Sequence, residues 1–191
     1  MSELRERRSA VNLGLWFYLM TDVMLFSTLF ATYMILQHAT NGNASSNQIF
    51  DLNFALVETG ILLFSSVTSG MAQLALNHRR LSHFWIFVAT TLLLGVAFLS
   101  MELTEFSQLV NAGHSWQASA FLTGFFTLVG THGLHILVGL IWGAALVWAI
   151  QKRGATDVLR HKFGMFSLFW HFLDIVWIFI FTIVYVFGVG L

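Results

Sequence analysis

Long apolar runs, broken by short polar connections, dominate the chain. Five of them cover about 13–36, 54–76, 84–101, 121–150 and 163–190. Each reaches the roughly 17–25 residues that carry a helix across the hydrocarbon of a bilayer. The third is the shortest, and the fourth and fifth are long enough to tilt or protrude. The pattern predicts an all-α integral membrane bundle of five transmembrane helices, forming a single membrane domain over residues 1–191.

Inside the runs, polar residues recur at helical spacing. On a helix turning about 100° per residue, Ser167, His171, Asp174, Thr182 and Tyr185 share a stripe about 80° wide. The same construction aligns Tyr18, Asp22 and Tyr33 on the first span, and Glu58, Ser65 and Ser69 on the second. It aligns Thr91, Gly95, Glu102 and Glu105 on the third, and His132, His135, Gly139 and Gly143 on the fourth. A charge at mid-bilayer costs about 3 kcal/mol on insertion scales, so these stripes face protein rather than acyl chains. Five narrow polar faces predict helices that meet one another or a partner.

Charge supplies the orientation. All nine Lys and Arg residues lie before the first span (Arg5, Arg7, Arg8), after the second (Arg79, Arg80) or after the fourth (Lys152, Arg153, Arg160, Lys162). The polar, Asn/Ser-rich connection at 37–53 has none, and neither does the stretch 102–120. With five spans this sorting places the N-terminus in the cytoplasm and the C-terminus in the periplasm. Arg5, Arg7 and Arg8 precede an apolar run far longer than a signal-peptide core of about 7–15 residues, so the first segment reads as a retained span.

Composition removes other classes. The chain is 57% hydrophobic and 9% charged, a membrane balance rather than a soluble core. It has no cysteine, which excludes disulfides and thiolate-held metals, and no proline, so nothing forces a kink. No basic patch is large enough to make nucleic acid a partner.

The 1.5 Å rise per residue gives rough depths. Asp22 lies roughly 13 Å from the inner end of its span and Asp174 roughly 16 Å from Phe163, whereas Glu58 is about 6 Å from an outer end. Asp22 and Asp174 are therefore the costly carboxylates, with Glu58, Glu102 and Glu105 nearly interfacial. His132 and His135, three apart, could ligate a metal or haem, but no carboxylate stands at matching spacing. Interhelical hydrogen bonding beside close-packed glycines is the simpler expectation for both. His171 with Asp174 reads as a polar clamp between helices or a proton relay. The clamp is preferred because no continuous chain of titratable groups crosses the bilayer. Asp22 either carries its proton or is paired across an interface.

Two motifs are familiar. GTHGLHILVG at 130–139 and WHFLDIVW at 170–177 strongly resemble the closing helices of subunit III of haem–copper respiratory oxidases. YLMTDVMLFSTL at 18–29 looks like the family helix with a membrane-embedded carboxylate, Asp22 standing where many cytochrome c oxidase members have Glu. LVETGILLFSS at 56–66 resembles the helix that follows. Many members of that branch have seven spans; five, starting at what looks like the third, is similar to subunit III of the cytochrome o-type quinol oxidases. The resemblance implies a chain with no catalytic residue, cofactor or metal of its own, set in a bacterial inner membrane as a multi-pass subunit. Haems and copper are expected in a directly contacting subunit I, with subunit II in the complex and subunit IV beside the first helices. It also implies bound phospholipid and a supporting role in assembly and proton uptake. Asp22, Glu58, Glu102, Glu105, His132, His135, His171 and Asp174 are then candidate polar, lipid-contact or subunit-contact sites. Other readings are a cytochrome c oxidase subunit III, a small membrane transporter and a stand-alone di-haem cytochrome. The transporter lacks inverted repeats and Gly/Pro-broken helices.

Overall fold

The computed structural model describes residues 2–37, 39–40 and 52–190, so most of the connection at 37–53 lies outside the described residues. The described chain is all-helical: α1 (Ser2–Leu36), α2 (Leu52–Asn77), α3 (Leu81–Asn111), α4 (Ala120–Arg153) and α5 (Asp157–Ile180). A π-helical turn (Phe181–Val186) and a short α6 (Phe187–Gly190) follow. Five helices are long and apolar enough to cross a membrane, as expected.

One boundary differs from the hydropathy reading. The third span is not the shortest: α3 has 31 residues and absorbs the first part of the stretch assigned to a connection. Glu102, Thr104, Glu105 and Ser107 depress hydropathy there. Even so, Phe98, Glu102, Glu105 and Leu109 keep helical spacing and are all buried. Burial of that face sustains the helix, whatever its average polarity. At its other end α5 starts at Asp157, earlier than its apolar run. Thr156 caps it, accepting from Leu159 N–H at 3.4 Å, and Asp157 suits the first turn. Ser119 caps α4 in the same way at 3.1 Å. Gly154, at φ 73°, ends α4 after Lys152 and Arg153, whose charges suit a helix C-terminus.

Helices α2, α3, α4 and α5 close a ring, each packing on the next and α5 returning to α2. α1 stands outside it, against α4 and α5. Its outward face is apolar, with Trp16, Phe17, Met20 and Met24 exposed. Thr21, Ser27, Thr28 and Thr32 on this helix donate to carbonyls of their own helix at 2.7–2.8 Å, which spares each hydroxyl an unpaired position in an apolar medium. The start of α1, the end of α2 and the start of α5 converge on a cleft of about 430 Å³ lined by Asn12, Trp16, Gln73, Asn77, Arg160 and His161. These three ends therefore share one side of the bundle.

Glycines set the closest approaches. A β-carbon on Gly95 would lie 2.8 Å from the Trp170 ring, and one on Gly139 would lie 2.9 Å from it. Gly143 meets Leu92 and Phe166 equally closely, so the Gly139–Gly143 pair is a packing notch for α5.

Candidate functional site

The polar residues gather in three interior groups. The first joins α1 to α4. Asp22 Oδ1 lies 3.6 Å from His135 Nε2, and His135 Nδ1 lies 2.7 Å from the Thr131 carbonyl one turn back. A ring nitrogen can meet a carbonyl only by donating, so Nδ1 carries a hydrogen and Nε2 is left to face the carboxylate. Tyr18 stands one turn before Asp22 on α1. Tyr18 is nevertheless 42% exposed, on the edge of the stripe rather than in it, with its ring 6.0 Å from Phe169. Asp22, at 5% exposure, is buried against a neighbouring helix of its own chain.

The second group fastens α5 to α2. The Ser66 hydroxyl lies 2.5 Å from His171 Nδ1. Beside it the Trp170 indole donates to Ser65 at 3.0 Å, and Ser65 donates to the Thr91 carbonyl of α3 at 3.2 Å. Ser69 and Ser167 meet at 3.2 Å, and the Trp177 indole donates to Thr59 at 3.0 Å. The geometry is that of a clamp. Sequence reasoning named Ser65 and Ser69 but missed Thr59, Ser66 and Thr68; the dense run FSSVTSG at 64–70 was the available signal. So many small hydroxyls on one apolar helix need partners from more than one side.

The third group lies toward the other end of the bundle. Tyr185 donates to Glu105 Oε2 at 2.8 Å, and Glu58, Glu102 and Glu105 are within electrostatic reach of one another. Glu102 presses on Gly133, where a β-carbon would collide with its carboxylate. All three acids are enclosed, Glu58 at 0% exposure. The helices of the ring wrap them, whatever their distance from a span's end. Among the described residues, neither oxygen of Glu58 has a hydrogen-bond partner. The π-turn contributes here: it breaks the 3.6-residue phase after Ile180. Tyr185 then points into the core, while Thr182 bonds to its own Ile178 carbonyl.

His132 behaves differently from expectation. It is fully buried, but neither ring nitrogen has a hydrogen-bond partner among the described residues. Its ring lies 5.3 Å from Trp177, 5.9 Å from Phe98 and 6.3 Å from Phe26. Aromatic packing on three sides replaces the interhelical hydrogen bond. Among the described residues, no group of three or more His, Asp or Glu side chains converges as a metal site would require.

This geometry defines a multi-pass helical protein whose buried polar groups tie helix to helix. Within that class, residues 5–189 match the family described as cytochrome c oxidase subunit III, and the chain belongs to that family. It is 48% identical to the cytochrome bo(3) ubiquinol oxidase subunit 3 of Pseudomonas putida, over 93% of this chain and 86% of that one. It is 42% identical to the quinol oxidase subunit 3 of Bacillus subtilis (strain 168), over 93% of this chain and 87% of that one. It is also 42% identical to the cytochrome c oxidase subunit 3 of Bacillus sp. (strain PS3), over 92% and 85%.

Proposed function

We propose that this chain is the non-redox third subunit of a proton-pumping, cytochrome o-type ubiquinol oxidase that reduces oxygen to water in an aerobic respiratory chain. The observation that carries this reading is the identity to relatives named as ubiquinol oxidase subunit 3, which reaches 48% over most of both chains. The interior fits a supporting role: His171, the Asp22–His135 pair and Glu105 each join one helix to another. Haems and copper belong to subunit I, against which this chain packs, with subunit II in the complex and subunit IV beside α1. The exposed apolar face of α1 is the surface best suited to such neighbours and to bound phospholipid. Sorted Lys and Arg residues support a cytoplasmic N-terminus and a periplasmic C-terminus in a bacterial inner membrane. The whole chain then acts as one membrane domain.

A second reading is favoured by one specific observation. The equal identity to a quinol oxidase and a cytochrome c oxidase subunit from bacilli admits a cytochrome c-oxidising complex. Purification of the native complex through a tag on this chain separates the two. The proposal expects co-purifying haem and oxygen-dependent quinol oxidation. Cytochrome c oxidation with a copper centre in subunit II selects the second reading. Haem bound by this chain alone overturns the non-redox assignment.

A further inference from the structure

The α2–α3 turn carries a feature that the oxidase reading leaves unused. Residues 78–80 join the helices, with Arg79 in left-handed backbone at φ 57°. An open groove of about 380 Å³ lies beside this turn. Met71 and Leu74 of α2 and Phe87 of α3 line its deeper wall, and His78, Arg80 and His83 line its mouth. Met71 and Phe87 are each six residues inside their helix ends, roughly 9 Å into the span. The groove is thus apolar at depth and basic where the helices stop.

Among the described residues, no ion pair gives the mouth a counter-charge. The ion pairs among the described residues join His135 to Asp22 and Arg160 to Asp157, and neither involves this turn. Arg160 is further tied to the Ala155 carbonyl at 3.1 Å, whereas Arg80 is exposed. α3 also starts here with no side-chain cap, so its first-turn N–H groups add positive potential at the same end. No carboxylate lines the mouth to receive an ammonium headgroup.

The occupant follows from the surroundings. Acyl chains are the solvent of this face, and an anionic phospholipid carries both complementary halves. Its phosphate accepts charge-assisted hydrogen bonds from a guanidinium, and imidazole N–H groups can join. We propose that this groove binds one anionic phospholipid, its phosphate held by Arg80 between His78 and His83 and an acyl chain laid over Met71, Leu74 and Phe87. The inference deepens the lipid-binding part of the function proposed above and rests on that reading.

Native mass spectrometry of the intact purified complex tests it, with phosphatidylglycerol or phosphatidylcholine as the added lipid. Arg80→Gln should weaken phosphatidylglycerol retention about fivefold, the factor expected for one basic residue at a membrane surface. Arg79→Gln removes the same charge from a residue outside the groove and should leave retention unchanged. Leu74→Trp fills the apolar wall and should lower retention with every charge kept. Phosphatidylcholine should respond to neither arginine. Equal losses in Arg79→Gln and Arg80→Gln would reduce the effect to diffuse charge and overturn the site. So would unaltered retention in Arg80→Gln, or a companion subunit cross-linked across the groove. Haem content and quinol oxidation of the unmodified complex report separately on the oxidase reading.

Discussion

Gly95→Ala is the sharpest test of the packing described here. The new methyl would sit 2.8 Å from Trp170 Cη2 and 2.9 Å from both Trp170 Cζ2 and Leu140 Cδ2. Carbon atoms rest about 3.5–4.0 Å apart, so the shortfall is about 0.6–1.2 Å. Trp170 has no room to retreat. It is 1% exposed, Gly139 closes its far side, and its N–H is committed to Ser65 at 3.0 Å. Overpacking of this kind costs about 1–3 kcal/mol. Alanine's better helix propensity returns about 1 kcal/mol, leaving a net loss of about 0–2 kcal/mol. Gly60→Ala isolates the clash, because a β-carbon there meets nothing within 4 Å and only the propensity gain remains. The two variants should differ by about 1–3 kcal/mol. At about 2–4 °C per kcal/mol for a chain of this size, a thermal-shift assay in detergent resolves the difference. Trp170→Phe removes the indole atoms that collide and leaves the Leu140 contact at 2.9 Å, so Gly95→Ala should cost less in that background. If Gly95→Ala melts with Gly60→Ala, or keeps its full penalty beside Trp170→Phe, the packing argument is wrong.

Other substitutions probe the polar groups. Ser66→Ala removes the hydroxyl that meets His171 and should cost about 0.6–1.7 kcal/mol, read as a lower melting midpoint. Tyr185→Phe strips a buried donor from Glu105 and should cost about 1–3 kcal/mol, whereas Thr182→Ala should stay within about 0.5 kcal/mol. Asp22→Asn keeps the shape of the side chain; the complex should assemble normally but lose turnover or inactivate faster during sustained oxidation. Full activity over a long progress curve would limit Asp22 to a packing role.

The five spans and their inward stripes were legible because the bilayer penalises polar groups so heavily that position along the helix reveals facing. Glu58, Ser65, Ser69, Thr91, Glu102 and His132 are all buried where periodicity put them. Partners were not legible. Asp22 and His135 are far apart in sequence, and nothing in either motif says that α1 lies on α4 rather than α2. The end of α3 was misread because average hydropathy cannot distinguish a polar connection from a helix that buries its own glutamates. The turn at 181–186 left no mark at all, since widening a helix by one residue needs neither glycine nor proline. The electron donor leaves only a graded trace: identity reaches 48% to a ubiquinol oxidase subunit and 42% to relatives of both kinds.

The outlying position of α1 has a consequence for biogenesis. α1 packs on two helices that follow it in the chain, so it leaves the ribosome well before these neighbours exist. Translation at about 5–20 residues per second puts His135 roughly 6–23 seconds behind Asp22. For that interval the acid waits in the membrane without its imidazole. The insertion machinery, a companion chain or a borrowed proton must shelter it until α4 arrives.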